Sequence, residues 1–510
     1  MQKNVLEYFE NTLLVHRNKT AIIDQDKVLT FGEWEQSAKR LCMAIREKSG
    51  AIRNPVGVYL PKSADSLVSF MAILYSGNIY VPLDIKSPAG RIQSMMDNLH
   101  QPLVITSAEY LEELAACGVD RGNIIDITEA YDDSRTFDPA EVLTYAAAVI
   151  DTDPIYVIYT SGSTGIPKGV VVCHRGVIDY IDWAVECFQI TSAEVIGSQS
   201  PFYFDNSTLD IYLCLATGAT LILIPEQHFA FPKTLMDFCV EQKINFVFWV
   251  PSVMINVANL RALEEMDLSG LKKVLFAGEV MPNRHLNYWR SRMPDSLFAN
   301  LYGPTEITVD CTYYIVTKEF ADDDKLPIGF PCRNTDILIL TEDNQPAKVD
   351  ELGELCVRGS SLALGYWNNP EKSDTVFTQN PCNPNYFDRI YRTGDFVYLN
   401  EEGEIIFIGR KDAQIKHMGY RIELGEIETA LLSLEGIHNS CVLYNKPKQE
   451  ITMFYMGDDE VTKAVIRKKL VPLLPKYMIP TKIYKLDQLP MNQNGKIDRP
   501  RLIREYLEES

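Results

Sequence analysis

The stretch YTSGSTGIPKGV, Tyr159 to Val170, places Gly162 and Gly165 among the hydroxyl side chains of Thr160, Ser161, Ser163 and Thr164, and follows them with Lys168. The preceding residues, Tyr156 to Tyr159, read as a strand, and VVVCH after Gly169 reads as another. The glycines permit tight turns and close backbone approach to a ligand. Successive free N–H groups in such a loop form an anion nest. The hydroxyls add donors and Lys168 adds a full positive charge, a combination suited to the β- and γ-phosphates of a nucleotide. A Walker loop needs Ser or Thr directly after its lysine and then a helix. Here Gly169 and a strand follow instead, so the phosphates would be held in another way. The plain alternative is a flexible Gly/Ser hairpin turn.

Outward from this loop, apolar strand-like runs alternate with amphipathic helical stretches over roughly the first four hundred residues. PVGVYL, PLVIT, YVIYT, ATLILI, NFVFWV and KKVLFAG are the runs; FGEWEQSAKRLCMAIREKSG and PKTLMDFCVEQK lie between them. That alternation predicts doubly wound α/β layers. From about Pro327 the texture changes to short antiparallel strands, with turns at Glu342-Asp343-Asn344 and Glu401-Glu402-Gly403. LGEIETALLSLEG then reads as an amphipathic helix. We place a domain junction at Lys411-Asp412, giving a core of residues 1–410 and a C-terminal unit of residues 413–510.

The chain has 510 residues, enough for two or more domains with ample core. Its net charge of −20 argues against bulk binding to nucleic acid or an anionic membrane. The N-terminus lacks an apolar signal segment. The run LVSFMAILYSGNIYVPLD is too short and too interrupted to span a bilayer, and predicts a buried helix followed by a buried strand. Eleven cysteines without CxxC spacing read as reduced thiols of a cytoplasmic protein.

The loop resembles the signature of the adenylate-forming superfamily, and further blocks agree in order along nearly the whole chain. They are LYSGNIYVPLD (74–84), YFDNSTLDIY (203–212), NLYGPTE (300–306), GELCVRGSSLALGYW (353–367), YRTGD (391–395), GRKDAQIKHMGYRIELGEIE (409–428) and NQNGKID (492–498). The series is similar to amino-acid adenylation domains of nonribosomal peptide synthetases and to D-alanine–carrier protein ligases. The resemblance implies two doubly wound α/β subdomains and a small β-barrel, with a small mobile α+β C-terminal domain. It implies two half-reactions: a carboxylate attacks the α-phosphate of ATP, and a phosphopantetheine thiol then takes the acyl group from the adenylate.

On that resemblance, ATP would be held by Thr160, Ser161, Gly162, Ser163, Thr164, Lys168, Gly278, Asn300, Leu301, Tyr302, Gly303, Pro304, Thr305, Asp395, Phe407, Arg410 and Lys496. Asn300 would meet the adenine edge, Tyr302 would offer a stacking face, and Asp395 would accept the ribose hydroxyls. Thr305 would donate to the α-phosphate, and Glu306 would hold Mg²⁺, a hard cation suited to carboxylate and phosphate oxygens. Lys496 would bridge the substrate carboxylate and the α-phosphate, an electrostatic and orienting role. No general base is needed, because the attacking carboxylate is already ionised.

Asp205 has two readings. Asp-Asn-Ser before an apolar run makes a helix N-cap. In amino-acid-activating relatives this aspartate instead pairs with the substrate ammonium, behind an aromatic gate at Phe204. By the same resemblance Asn206, Leu209, Phe248, Leu275, Ala277, Leu301, Val309 and Asp310 would line the side-chain pocket, with Lys496 at its mouth. Most are apolar, which suggests a small or branched neutral amino acid; Asp310 does not fit a purely aliphatic pocket and would bind a hydroxyl or amine or turn away. Asp412 would be the pivot of domain rotation and Gly419 would line the pantetheine tunnel, with Met418 where relatives often have arginine. The chain ends at LIREYLEES without a carrier motif, so the expectation is a stand-alone enzyme whose carrier protein acts in trans, the alternative being an excised domain. The competing readings are an acyl-CoA synthetase with free CoA as acceptor, a D-alanine–carrier protein ligase, and a catalytically silent nucleotide-binding regulator.

Overall fold

The computed structural model describes residues 2–161, 167–410, 414–490 and 497–508. The expectations placed on Gly162, Ser163, Thr164, Asp412 and Lys496 therefore lie outside the described residues.

Two large sheets dominate. The seven-stranded sheet has a parallel centre, in which Pro154–Thr160, Ile79–Pro82, Pro55–Tyr59, Leu103–Thr106 and Ile124–Asp126 run side by side. Lys168–Cys173 and Gly365–Tyr366 add antiparallel edge strands to it. The nine-stranded sheet is parallel from Thr20–Asp24 to Leu297–Tyr302, with antiparallel strands at both ends. Parallel strands covered on both faces must be apolar throughout, which is why FVFW and KVLF are continuous runs rather than alternations. The helix Ala64–Tyr75, apart from Asp65, and the strand Ile79–Pro82 are buried, as the run LVSFMAILYSGNIYVPLD predicts. Ser63 caps that helix by accepting from the Ser66 backbone N–H.

A five-stranded antiparallel sheet follows, organised on the long strand Arg389–Leu399. Beyond it, the hairpin Gln414–His417 and Tyr420–Glu423 precedes the helix Leu424–Leu432. A three-stranded sheet of Ile437–Asn445, Glu450–Gly457 and Lys482–Lys485 completes the C-terminal unit. Among the described residues no helix is long and apolar enough to cross a membrane, and the cysteines are free.

One local expectation is corrected. The helix over TLDIYLCLA starts at Ser207, its N-cap position is Asn206, and no side chain caps it. Asp205 sits one residue too early to reach the first free N–H groups, and its carboxylate is engaged elsewhere.

Candidate active site

Strand pairing places the residues expected to meet phosphate. Thr160 and Lys168 face one another across the antiparallel pair that flanks the glycine loop. Thr160 Oγ1 is buried without a partner among the described residues, an orphaned polar atom at the cleft wall. Lys168 Nζ lies 3.2 Å from Glu306 Oε1 and 3.3 Å from the Tyr366 hydroxyl. Burial pulls the Lys168 ammonium below its usual range, with Arg421 adding to that and Glu306 opposing it.

The strand Leu297–Tyr302 and the turn after it deliver the next group. Gly303 allows the chain to pass here, since a Cβ would stand 2.3 Å from the Val309 carbonyl oxygen. Thr305 and Glu306 follow, and both are buried. Glu306 accepts from the Tyr366 hydroxyl at 2.7 Å and from Arg421 Nη1 at 2.6 Å. Burial works to raise the Glu306 carboxyl, but the Arg421 and Lys168 cations outweigh it and hold it well below the usual carboxylate range.

Asp395 and Arg410 are cross-strand partners, and Arg410 Nη1 lies 2.7 Å from Asp395 Oδ1. The Tyr302 hydroxyl donates to the other carboxylate oxygen. The Phe407 ring centroid is 6.1 Å from that of Tyr302. Asn300 is buried and donates to the Pro327 carbonyl at 2.8 Å. Gly278, with φ of 100°, lines the same cleft.

Asp205 closes the other end. Its carboxyl is buried in the wall of this cleft, which Thr305 also lines. Burial pushes it up to about 6, against the Thr305 hydroxyl and the nearby Lys416 cation. Its neighbour Asn206 has a buried Nδ2 with no partner among the described residues. Strand alternation explains the wall beyond. Phe248, Leu275 and Leu301 project from adjacent strands to one face of the nine-stranded sheet, while Val247, Trp249, Val274 and Phe276 pack on the other. Leu209, Ala277 and Val309 join Phe248, Leu275 and Leu301 in one core cluster, and Asp310 is 2% exposed. Of the described residues expected for the side-chain pocket, Asp205 and Asn206 border the cleft, and the others are packed in the buried core.

The C-terminal hairpin enters the cleft, and most of its contacts were not foreseen. Lys416 Nζ lies 5.7 Å from the centroid of the Tyr302 ring. Burial lowers its ammonium, while Asp395 and Asp205 act in the opposite sense. The Gly419 N–H donates to Glu279 Oε1 at 2.9 Å, and Ser161 Oγ donates to the Arg421 carbonyl at 2.7 Å. The Tyr420 ring stands edge-on to Phe204 at 4.8 Å and stacks on Tyr477 at 3.6 Å. Arg91 and Glu426 form a buried ion pair beside it. Arg421 and Tyr420 lie within the block GRKDAQIKHMGYRIELGEIE, but sequence gives no sign that the arginine finds Glu306, more than a hundred residues away.

With the hairpin in place, the cleft among Thr160, Asp205, Thr305, Asp395, Lys416 and Arg421 retains about 80 Å³. A second cavity of about 830 Å³ lies behind the hairpin, lined by Lys62, Phe70, Phe202, Phe204, Val250, Met418, Gly419 and Tyr420. Gly419, with φ of 82°, borders both spaces, and a Cβ there would approach Val250 Cγ1 to 3.0 Å.

Comparison with known proteins agrees with this arrangement. A family profile described as AMP-binding enzyme matches residues 9–367. The D-alanine–D-alanyl carrier protein ligase of Bacillus anthracis is 32% identical over 98% of this chain and 99% of its own length. Tyrocidine synthase 1 of Brevibacillus parabrevis is 31% identical over 98% of this chain, which spans only 45% of that relative. Among solved structures, a holo nonribosomal peptide synthetase protein containing adenylation and PCP domains, bound to a vinylsulfonamide inhibitor, superposes with a TM-score of 0.84. It is 25% identical, covering 99% of this chain and 84% of its own.

Proposed function

The chain belongs to the AMP-binding enzyme family, and on that footing we propose that it activates an amino acid as its aminoacyl-adenylate and loads it onto the phosphopantetheine thiol of a carrier protein. The observation that carries the reading is Asp205. A buried carboxylate in the wall of the cleft, with no ion pair among the described residues, supplies an anionic seat for a substrate ammonium.

In the first half-reaction a carboxylate oxygen of the amino acid attacks the α-phosphorus of ATP. The new acyl–phosphate bond forms as the bond to the bridging oxygen breaks, and pyrophosphate leaves with its electron pair. Thr160 and Lys168 serve the phosphates, Thr305 the α-phosphate, Asp395 the ribose, and Tyr302 the face of the base. Lys496, outside the described residues, is assigned to the developing negative charge by the family resemblance alone. Glu306 suits Mg²⁺, which commonly binds through one or two carboxylates plus substrate phosphates. When bound, such an ion neutralises charge on the phosphates and the leaving pyrophosphate. Holding it there requires Arg421 to release Glu306.

In the second half-reaction the thiol sulfur, having lost its proton, attacks the acyl carbonyl carbon, and AMP departs with the acyl–oxygen electron pair. The hairpin position supports this step: Gly419 borders both the small cleft and the larger cavity of about 830 Å³. The C-terminal unit, residues 413–510, would therefore move about Asp412 between the two steps, a recognised way to complete and dismantle a site. The near-equal length of the D-alanine ligase relative keeps D-alanine among the candidate substrates.

The test is amino-acid-dependent ATP–pyrophosphate exchange across L- and D-amino acids, followed by acyl transfer to a phosphopantetheinylated carrier and to free CoA in parallel. Exchange with an amino acid and transfer to the carrier support the reading. Preferred transfer to CoA would assign the acceptor differently, and exchange with none would refute the activity.

A further inference from the structure

Arg91 and Glu426 come from different units of the chain, yet their side chains are only 8% and 2% exposed and form an ion pair. Arg91 lies on the helix Ala89–Asn98, which follows the strand Ile79–Pro82 of the seven-stranded sheet. Glu426 lies in the first turn of the helix Leu424–Leu432, directly after the hairpin that enters the cleft. Arg91 also borders the cleft, in company with Tyr203, Phe204 and Tyr477.

The core offers Arg91 a second carboxylate. Asp84 accepts from the Lys86 N–H at 2.9 Å and from the Ser87 hydroxyl at 3.3 Å. Burial pushes its carboxyl up, against those bonds and the nearby Lys86 and Arg91 cations. Arg91 therefore keeps an opposite charge in its neighbourhood when the C-terminal unit turns away, whereas Glu426 leaves its cation behind.

The other contacts between the hairpin and the core are of different kinds. Gly419 to Glu279 and Ser161 to the Arg421 carbonyl are single hydrogen bonds. The stack of Tyr420 on Tyr477, beside Phe204, is apolar and tolerates sliding. The Arg421–Glu306 pair holds a carboxylate that Mg²⁺ would also claim. The Arg91–Glu426 pair ties the two units together without using a residue expected to meet ATP. A buried ion pair holds only at good geometry, and a small slip strands both charges. It fixes position more sharply than an apolar contact does.

We propose that Arg91 is a positioning residue of the acyl-transfer step. Its ion pair with Glu426 seats the C-terminal unit so that Gly419 stands at the border of the cleft and the larger cavity, and it has no part in adenylation. This rests on the two half-reactions proposed above and names a contact that holds the second of them.

The experiment uses the full chain and two assays: pyrophosphate exchange for adenylation, and single-turnover transfer from preformed aminoacyl-adenylate to a phosphopantetheinylated carrier. Glu426→Gln keeps the shape and removes the charge. It should slow transfer by ~30-fold or more, because the Arg91 cation is then left buried opposite a neutral group. Exchange, and the carrier KM in transfer, should stay within ~3-fold. Arg91→Ala should slow transfer as much, and Arg91→Lys should recover to within ~5-fold of the wild-type rate. The double variant Arg91→Ala with Glu426→Gln should be no slower than the worse single one, since both remove the same contact. Unchanged transfer in Glu426→Gln, equal loss in both assays, or losses that multiply in the double variant would overturn the proposal while the two half-reactions stand. A wild-type chain that forms the adenylate but acylates no thiol would bring down the reading beneath it, and this proposal with it. Retained exchange in each variant reports that it has folded, and Arg91→Lys against Glu426→Gln decides the matter if Arg91→Ala does not.

Discussion

Glu306 and Asp310 lie four positions apart on one turn of chain, and both are buried at 2% exposure or less. Their electrostatic circumstances are opposite. Glu306 is held by Lys168, Arg421 and the Tyr366 hydroxyl, and its carboxyl is drawn down despite burial. Asp310 accepts from the Tyr180 hydroxyl, and burial drives its carboxyl up to about 7. Asp205, with the Thr305 hydroxyl, behaves like Asp310 and rises to about 6. A buried charge is tolerable when paired and costly when not. The wall of the cleft around Glu306 therefore carries its own cations, one of them, Arg421, on the C-terminal hairpin, whereas Asp205 and Asp310 are buried with hydroxyl neighbours in place of a close cation.

That contrast can be broken at either end. The largest effect is expected from Lys496→Ala, which should reduce adenylation by ~10³-fold or more while sparing transfer from preformed aminoacyl-adenylate, because charge stabilisation at phosphorus is needed only in the first step. Single-turnover assays of each half-reaction would show it, and equal loss in both would contradict a two-state cycle. Next, Asp205→Ala should lower exchange kcat/KM by ~10²–10³-fold, the scale of removing one partner of a buried charge pair. Unchanged kinetics would place the ammonium elsewhere.

Arg421→Ala tests the compensated end. It should lower thiol transfer by ~10-fold and tighten the apparent Mg²⁺ requirement of adenylation by a few-fold, since the competitor for Glu306 is gone. Transfer and Mg²⁺ response both unchanged would mean that the Arg421–Glu306 pair has no part in the cycle. The smallest effect concerns stability. The raised Asp205 and Asp310 groups favour their protonated forms in the fold, so their contribution is present below about pH 4 and is lost as pH rises through about 6 and 7. Glu306 has the opposite sign: its contribution is present above the ordinary glutamate range and is lost as pH falls below it. Asp310→Asn should flatten the decline in stability between pH 5 and pH 8 by on the order of 1–3 kcal/mol, read by denaturant unfolding at each pH. An unaltered pH profile would remove Asp310 from the account.

Much of this was legible in sequence for a physical reason. Continuous apolar runs are what parallel strands covered on both faces require, and FVFW and KVLF became such strands. The glycine-and-hydroxyl loop lies between two strands, as YVIYT and VVVCH suggested. Other features were hidden because they depend on tertiary pairing. Asp205 reads locally as a cap, and only the cleft shows its carboxylate turned to Thr305. Tyr180 lies in HRGVIDYIDWAVECF, where an aromatic at helical spacing looks like any core residue. Arg421 and Glu306 meet across two units of the chain, and no local pattern announces such a pair.

The most direct test compares an amino acid with its desamino counterpart, such as alanine with propionate and serine with 3-hydroxypropionate, in pyrophosphate exchange by the wild-type chain. The account predicts exchange that depends on the amine, falling by ~100-fold or more when it is absent. Desamino acids that support exchange as well as their parents would contradict it, since Asp205 would then have no ammonium to hold.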